Sequence, residues 1–191
     1  MKRVGAIMVL ALLATGSSGC LTGRYEGDET SPYYLVPAGS RLTLNQEVTI
    51  PPDQVGVFLQ NGQTLPFAQV SKYYPHCKFE VRTIQAVARP VRPDSFTITR
   101  TLQEFSHTVG LEPVRVAARF SLGMTIGDLG NDAPLQTFAT RLYLQSATQP
   151  DVYRLSCGQW GYQPRDRHVT IAEIRRALGP VFTLDLAKPA S

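Results

Sequence analysis

Three cysteines and three histidines are the residues of this 191-residue chain best suited to chemistry, and their spacing limits what that chemistry can be. His76, His107 and His168 stand apart from one another and from any clustered Asp or Glu, so no metal-ligand set is spelled out. Glycine-rich phosphate loops, GxSxG and HExxH are missing as well. Ser106, His168 and Asp166 would make a nucleophile, a base and an orienting acid if folding brought them together, but any chain of this size offers such trios by chance. The expectation is a non-catalytic protein with no metal and no cofactor. An envelope hydrolase is the remote alternative.

The cysteines say more. With Cys20 set aside, Cys77 and Cys157 form an even pair, which in an oxidising compartment implies one disulfide. Their surroundings, YYPHCKFEV around Cys77 and VYRLSC ending at Cys157, both read as strands. A metal site or a catalytic thiol is the alternative, and neither cysteine has CxxC spacing or an obvious ligand set. Residues 158–168 (GQWGYQPRDRH) are the most suggestive stretch for recognition. Trp160 and Tyr162 offer flat amphipathic rings, and Arg165, Arg167 and His168 offer donors, a mixture suited to a glycan or a protein partner. The plainer reading has Trp160 filling the core beside the disulfide, with the arginines as solvated loop charges.

Cys20 closes a different pattern. Lys2 and Arg3 are followed by an apolar run over residues 4–14, and then by the small residues Thr15, Gly16, Ser17, Ser18 and Gly19. The run has the length of a signal-peptide core and is too short to span a bilayer, which takes about 20 apolar residues. Ser17-Ser18-Gly19-Cys20 resembles the lipobox of bacterial lipoproteins, although Ser17 stands where Leu is usual. The resemblance implies cleavage before Cys20 and acylation of that cysteine, which would tether the mature protein; two or three buried acyl chains hold firmly where one does not. An ordinary signal cut nearby would leave Cys20 a stray thiol, and an uncleaved anchor is a third possibility. In the lipoproteins this resembles, an Asp directly after the cysteine marks retention in the inner membrane; Leu21 and Thr22 follow here, so the resemblance implies export to the outer membrane of a Gram-negative cell. The contexts of Cys77 and of residues 157–184 also look similar to uncharacterised small proteobacterial envelope lipoproteins, a resemblance that carries no activity.

Loss of residues 1–19 leaves 172 residues, enough for one domain with a good core. It also lowers the formal charge from +4 to +2, so the basic balance is no nucleic-acid footprint and at most favours anionic envelope polymers.

The elements that must position these residues are mostly strands. Leu42, Leu44, Val48 and Ile50 share one face at period two; Pro51-Pro52-Asp53 breaks the run, and Val55, Val57 and Leu59 resume it as the second arm of a hairpin. Asn61-Gly62 signals a type I′ turn into a strand over residues 64–70. Further strands are expected from Cys77 towards Val87 and over residues 95–100, 114–122, 137–145 and 152–157, with a glycine- and Asp-rich loop at 123–134. Thr170-Ile171-Ala172-Glu173 is a capping box that opens a helix with an apolar stripe of Ile171, Ile174 and Leu178, stopped by Gly179-Pro180. A last strand over residues 181–186 is expected to return beside the strand of Cys157.

The chain thus divides into a signal peptide (1–19), a lipidated N-terminus and flexible spacer (20–39), and a β-rich periplasmic domain (40–191). Tyr33-Tyr34-Leu35-Val36 interrupts the spacer with an apolar patch that docks on the domain or on a partner. The domain is read as mainly β, a single antiparallel β-sandwich or barrel-like domain with one C-terminal helix and one disulfide. The expected role is an outer-membrane-anchored accessory or structural subunit of a cell-envelope complex, tethered to the membrane through its lipid and holding a protein partner. A peptidoglycan- or lipopolysaccharide-binding module is the alternative.

Overall fold

The computed structural model describes residues 28–107, 135–162 and 167–188. Eight strands form one antiparallel sheet that curls into a half-barrel: β1 (Arg41–Leu44), β3 (Gly56–Gln60), β4 (Gln63–Leu65), β5 (His76–Val81), β7 (Asp94–His107), β8 (Leu135–Gln145), β9 (Val152–Tyr162) and β10 (Phe182–Asp185). Their spatial order is β10-β1-β7-β8-β9-β5-β3-β4. β2 (Val48–Ile50) and β6 (Arg89–Val91) pair separately as a two-stranded sheet.

Alternation decides which side of the sheet is core. Val57, Phe79, Leu155 and Leu142 are cross-strand neighbours on β3, β5, β9 and β8, and together they make one row of a buried inner face. The next row carries Leu59, Cys77, Cys157 and Thr140. Cys77 and Cys157 lie directly opposite each other, with Cα atoms 4.0 Å apart, and are disulfide-bonded as expected. The helix α1 (Ile171–Leu178) covers this face with Ile171, Ile174, Ala177 and Leu178. Its capping box is formed as the sequence predicts: Thr170 accepts from the Glu173 N–H, and Glu173 accepts in return from the Thr170 N–H at 2.8 Å.

Several expectations are corrected. The run over residues 41–50 keeps its inward face but divides, β1 entering the main sheet and β2 leaving it. No hairpin joins β2 to β3, because Pro51 and Pro52 bring no N–H to a ladder and Asp53, at φ 56°, redirects the chain. The Asn61-Gly62 turn is present, with φ of 52° and 76°, but β4 stops at Leu65 before Pro66 and a short 3-10 turn (Phe67–Gln69) follows. β5 ends at Val81, whereas β7 and β9 run on to His107 and Tyr162. β10 pairs with β1, not with the strand of Cys157, because β8 and β5 already occupy both edges of β9. The strand expected over residues 114–122 and the loop over 123–134 lie outside the described residues.

Residues 28–39, assigned from sequence to the spacer, lie against the domain. Gln103 donates to the Pro32 carbonyl at 2.9 Å and Thr101 to that of Val36 at 2.7 Å, both from the inner face of β7. Val36 joins the core and Tyr34 packs against it, while Tyr33 and Leu35 alternate outward.

Because the disulfide joins positions 80 residues apart, its removal frees a long loop in the unfolded chain. Cys157→Ser is expected to cost about 2–4 kcal/mol, a drop in Tm of roughly 5–15 °C, and reductant should give the same drop in the parent. Thermal melts with and without reductant check this, and an unchanged Tm would contradict it.

Candidate functional site

The face opposite the core is where the chemistry-bearing side chains gather. Across β3, β5, β9, β8 and β7 one outer row reads Phe58, Lys78, Ser156, Arg141, Leu102. The adjoining row reads Glu80, Arg154, Tyr143, Arg100. Two aromatic and cationic clusters result.

The first is built on the connector between β4 and β5. The buried Gln60 side chain holds this connector, donating to the Ser71 carbonyl at 2.9 Å and accepting from the Ser71 N–H at 3.0 Å. The Trp160 N–H ties it to β9 by donating to the Lys72 carbonyl at 2.8 Å. Lys72 is thereby laid between two rings, its Nζ 4.3 Å from the Phe67 centroid and 4.8 Å from that of Trp160. Tyr73 meets Trp160 edge-on at 5.9 Å. Phe67, Tyr73 and Tyr74 remain more than half exposed. His76 lies beside Phe58, and burial pushes its pKa down.

The second cluster lies farther along the strands, on the row of Glu80 and Arg154, six residues from Trp160 on β9. Arg100 stacks on Tyr143 at 4.1 Å, Tyr143 meets Tyr153 edge-on at 5.6 Å, and Arg82 stacks on Tyr153 at 4.6 Å. Glu80 is buried within it. Arg154 Nε donates to Glu80 Oε2 at 2.6 Å, the Ser156 hydroxyl donates to the same oxygen at 2.8 Å, and Lys78 lies 3.4 Å from Oε1. Burial pushes the Glu80 carboxyl up, but these partners outweigh it and hold the pKa below the ordinary carboxylate value. A groove of about 380 Å³ runs beside the cluster, lined by Val55, Glu80, Val81, Arg82, Tyr153 and Arg154.

The charge balance of this face is uneven. Among the described residues, Lys72, Lys78, Arg82, Arg100, Arg141 and Arg154 are set against Glu80 and Glu104. Glu80 is paired with Arg154 and Lys78, and Glu104 with Arg141. Lys72, Arg82 and Arg100 therefore rest on ring faces with no carboxylate partner among the described residues.

The structure divides the stretch that sequence had treated as one surface. Trp160 is on the outer face of β9, away from the disulfide row, so it does not fill the core. Arg167 pairs with Glu173, its Nη1 2.8 Å from Oε2 and Nη2 2.9 Å from Oε1, which ties it to the helix cap. This guanidinium holds the Glu173 carboxyl at about 2. His168 lies on the inner side, edge-on to Phe138 at 5.8 Å, and burial lowers its pKa. Tyr162 ends β9 opposite Leu135; its side chain, like Arg165 and Asp166, lies outside the described residues. Ser106 points outward from β7, so Ser106 and His168 are on opposite faces and form no dyad. No cluster of three His, Cys, Asp or Glu suited to a metal occurs among the described residues. Cys20 lies outside them.

Sequence reasoning missed Lys72, Arg82, Arg100, Tyr143 and Tyr153. Only the register across β5, β9, β8 and β7 gathers Arg82, Arg100, Tyr143 and Tyr153, and only the tie between Trp160 and the β4–β5 connector lays Lys72 on its rings.

No protein-family model, curated protein or solved structure matches this chain.

Two predictions separate fold from site. Arg154→Met leaves the buried Glu80 with only Lys78 and the Ser156 hydroxyl as partners and is expected to cost about 2 kcal/mol, whereas adding Glu80→Gln should recover most of the loss; denaturant melts of the single and double variants measure the difference. The Glu173 carboxyl has its folded pKa depressed from 4.5 to about 2, so the stability it contributes is complete above 4.5 and is lost as pH falls towards 2. The stability gap between the parent and Glu173→Gln should accordingly close over that window, and a gap constant with pH would refute the pairing.

Proposed function

We propose that this chain is an outer-membrane-anchored, non-catalytic accessory lipoprotein of the cell envelope, whose outer sheet face holds an anionic envelope glycan. The observation that carries the reading is the set of three cations, Lys72, Arg82 and Arg100, each held on an aromatic face without a carboxylate partner among the described residues. Rings that pre-orient cations leave the N–H donors aimed at solvent, where phosphate or carboxylate groups take them up, and the neighbouring exposed rings suit the apolar faces of sugars. Carboxylates on peptidoglycan and phosphates on lipopolysaccharide share this chemistry. The disulfide supports an oxidising compartment. The signal-like stretch ending at Cys20 supports the tether.

A second reading is an acidic protein partner within an envelope complex. Phe67, Tyr73 and Tyr74, all more than half exposed beside Trp160, are the side-chain types that dominate protein interfaces and favour it.

Sedimentation of the purified protein with isolated sacculi, and separately with lipopolysaccharide aggregates, tests the first reading. Binding to one polymer should weaken as salt rises, and the double variant Arg82→Glu, Arg100→Glu should weaken it about tenfold or more, equivalent to ~1.4 kcal/mol. Arg167→Ala, which alters the helix cap, should leave binding intact. Failure to sediment with either polymer, together with a single protein co-purifying in mild detergent, would replace the glycan by the protein partner.

A further inference from the structure

The N-terminal strap over residues 28–36 has two sides. Its inward side is built into the domain through Val36, Tyr34 and the hydrogen bonds from Thr101 and Gln103. Its outward side presents Tyr33 and Leu35, 65% and 52% exposed, in a segment whose backbone is already fixed. Phe105, 61% exposed, is the next inward-face position of β7 beyond Gln103. Glu29 pairs with Arg175 of α1 at 3.1 Å, which places the start of the strap on the helix side of the domain, opposite the cationic outer face.

Chain length restricts what this surface can meet. Cys20 precedes Asp28 by eight residues, which span at most roughly 26–29 Å when fully extended. A domain of this size is about 38 Å across, judged from the radius of gyration expected of some 150 residues. An anchor at Cys20 therefore cannot reach around to the far side. The strap is weakly charged, because Glu29 is paired with Arg175 of α1 and Asp28 is its one remaining charge. A tyrosine and a leucine fixed side by side on such a strap suit the bilayer interface, where an amphipathic ring has one polar and one apolar neighbour.

We propose that Tyr33 and Leu35 of the strap rest on the lipid bilayer interface, so that the domain lies with its helix side to the membrane and its outer sheet face turned away. This rests on the lipid tether of the proposed function. The contact is apolar and should depend little on anionic lipid or on salt.

The chain has a single tryptophan, Trp160, on the outer face, and this provides an internal control. The full protein, purified from its native membrane, is placed in phosphatidylcholine vesicles containing lipids brominated on the acyl chains, which quench nearby tryptophan. Trp160 emission in the parent should be unaffected. Tyr33→Trp in a Trp160→Phe background should show a blue shift and strong quenching, and Leu35→Trp should repeat it. Quenching of Trp160 with none at position 33, or quenching at neither position, overturns the orientation while the tether stands. An intact mass without acylation of Cys20 overturns the tether and the orientation together.

Discussion

The pairing of β5 with β9 is the constraint on which the rest of the structure depends. Cys77 and Cys157 are directly opposed on the inner face, and their bond admits only one register between the two strands. Side chains alternate strictly across a sheet, so that register also fixes the outer face, setting Lys78 opposite Ser156 and Glu80 opposite Arg154. A one-residue slip of β5 would carry Phe79 out to solvent and bring Lys78 into the core, and a slip of β9 would do the same to Leu155 and Arg154. The Glu80–Arg154 pair makes the same slip costly from the other side, since a buried carboxylate separated from its guanidinium would keep its desolvation cost without its partner. The inner disulfide and the outer ion pair thus specify one geometry by unrelated physics.

Magnitudes separate what holds the domain from what the outer face is for. A cation on an exposed ring contributes about 0.5–1 kcal/mol, so Lys72, Arg82 and Arg100 together add little beside an inner face of fully buried Phe79, Phe96, Leu142 and Leu155, each contributing about 1.5–3 kcal/mol. The rings instead restrict where those cations point. An arginine free in solvent loses side-chain entropy when a ligand immobilises it, and one already laid on a tyrosine loses less. The outer face is better organised than the stability of the fold requires, and this is the physical ground for treating it as a binding surface.

How much of this was legible in the sequence depended on the range of each signal. The helix cap at Thr170 and Glu173, the turn at Asn61 and Gly62, and the inward residues of β1, β2 and β3 were all readable, because each rests on neighbours within a few positions. The cysteine pairing was legible by counting, with no knowledge of register. Strand partners were not legible: β10 reaches β1 across most of the chain, and β2 finds β6, because edges already taken elsewhere exclude the local choice. The same limit hid the outer clusters. Residues 158–168 read as one polar, aromatic surface stretch, but β9 continues to Tyr162, so alternation puts Trp160 outward, and the chain returns at Arg167 to the helix cap. A pattern of amphipathic rings and arginines names a composition; only a register decides which of them share a face.

Tethering changes how strong such a face must be. In the proposed arrangement an anchor at Cys20 confines the domain to a thin layer beside the membrane, where a polymer fixed in the same envelope is met at high effective concentration. Contacts of a fraction of a kcal/mol each, useless to a freely diffusing protein, then become sufficient in sum. A sheet with one face packed and one face open fits that situation, since the packed side also receives the strap that leads to the anchor, and the open side is turned the other way. A deep pocket would add affinity that the tether already supplies. The shallow groove beside Arg82 and Tyr153, spread across strands whose register is doubly fixed, is the kind of site that confinement makes adequate.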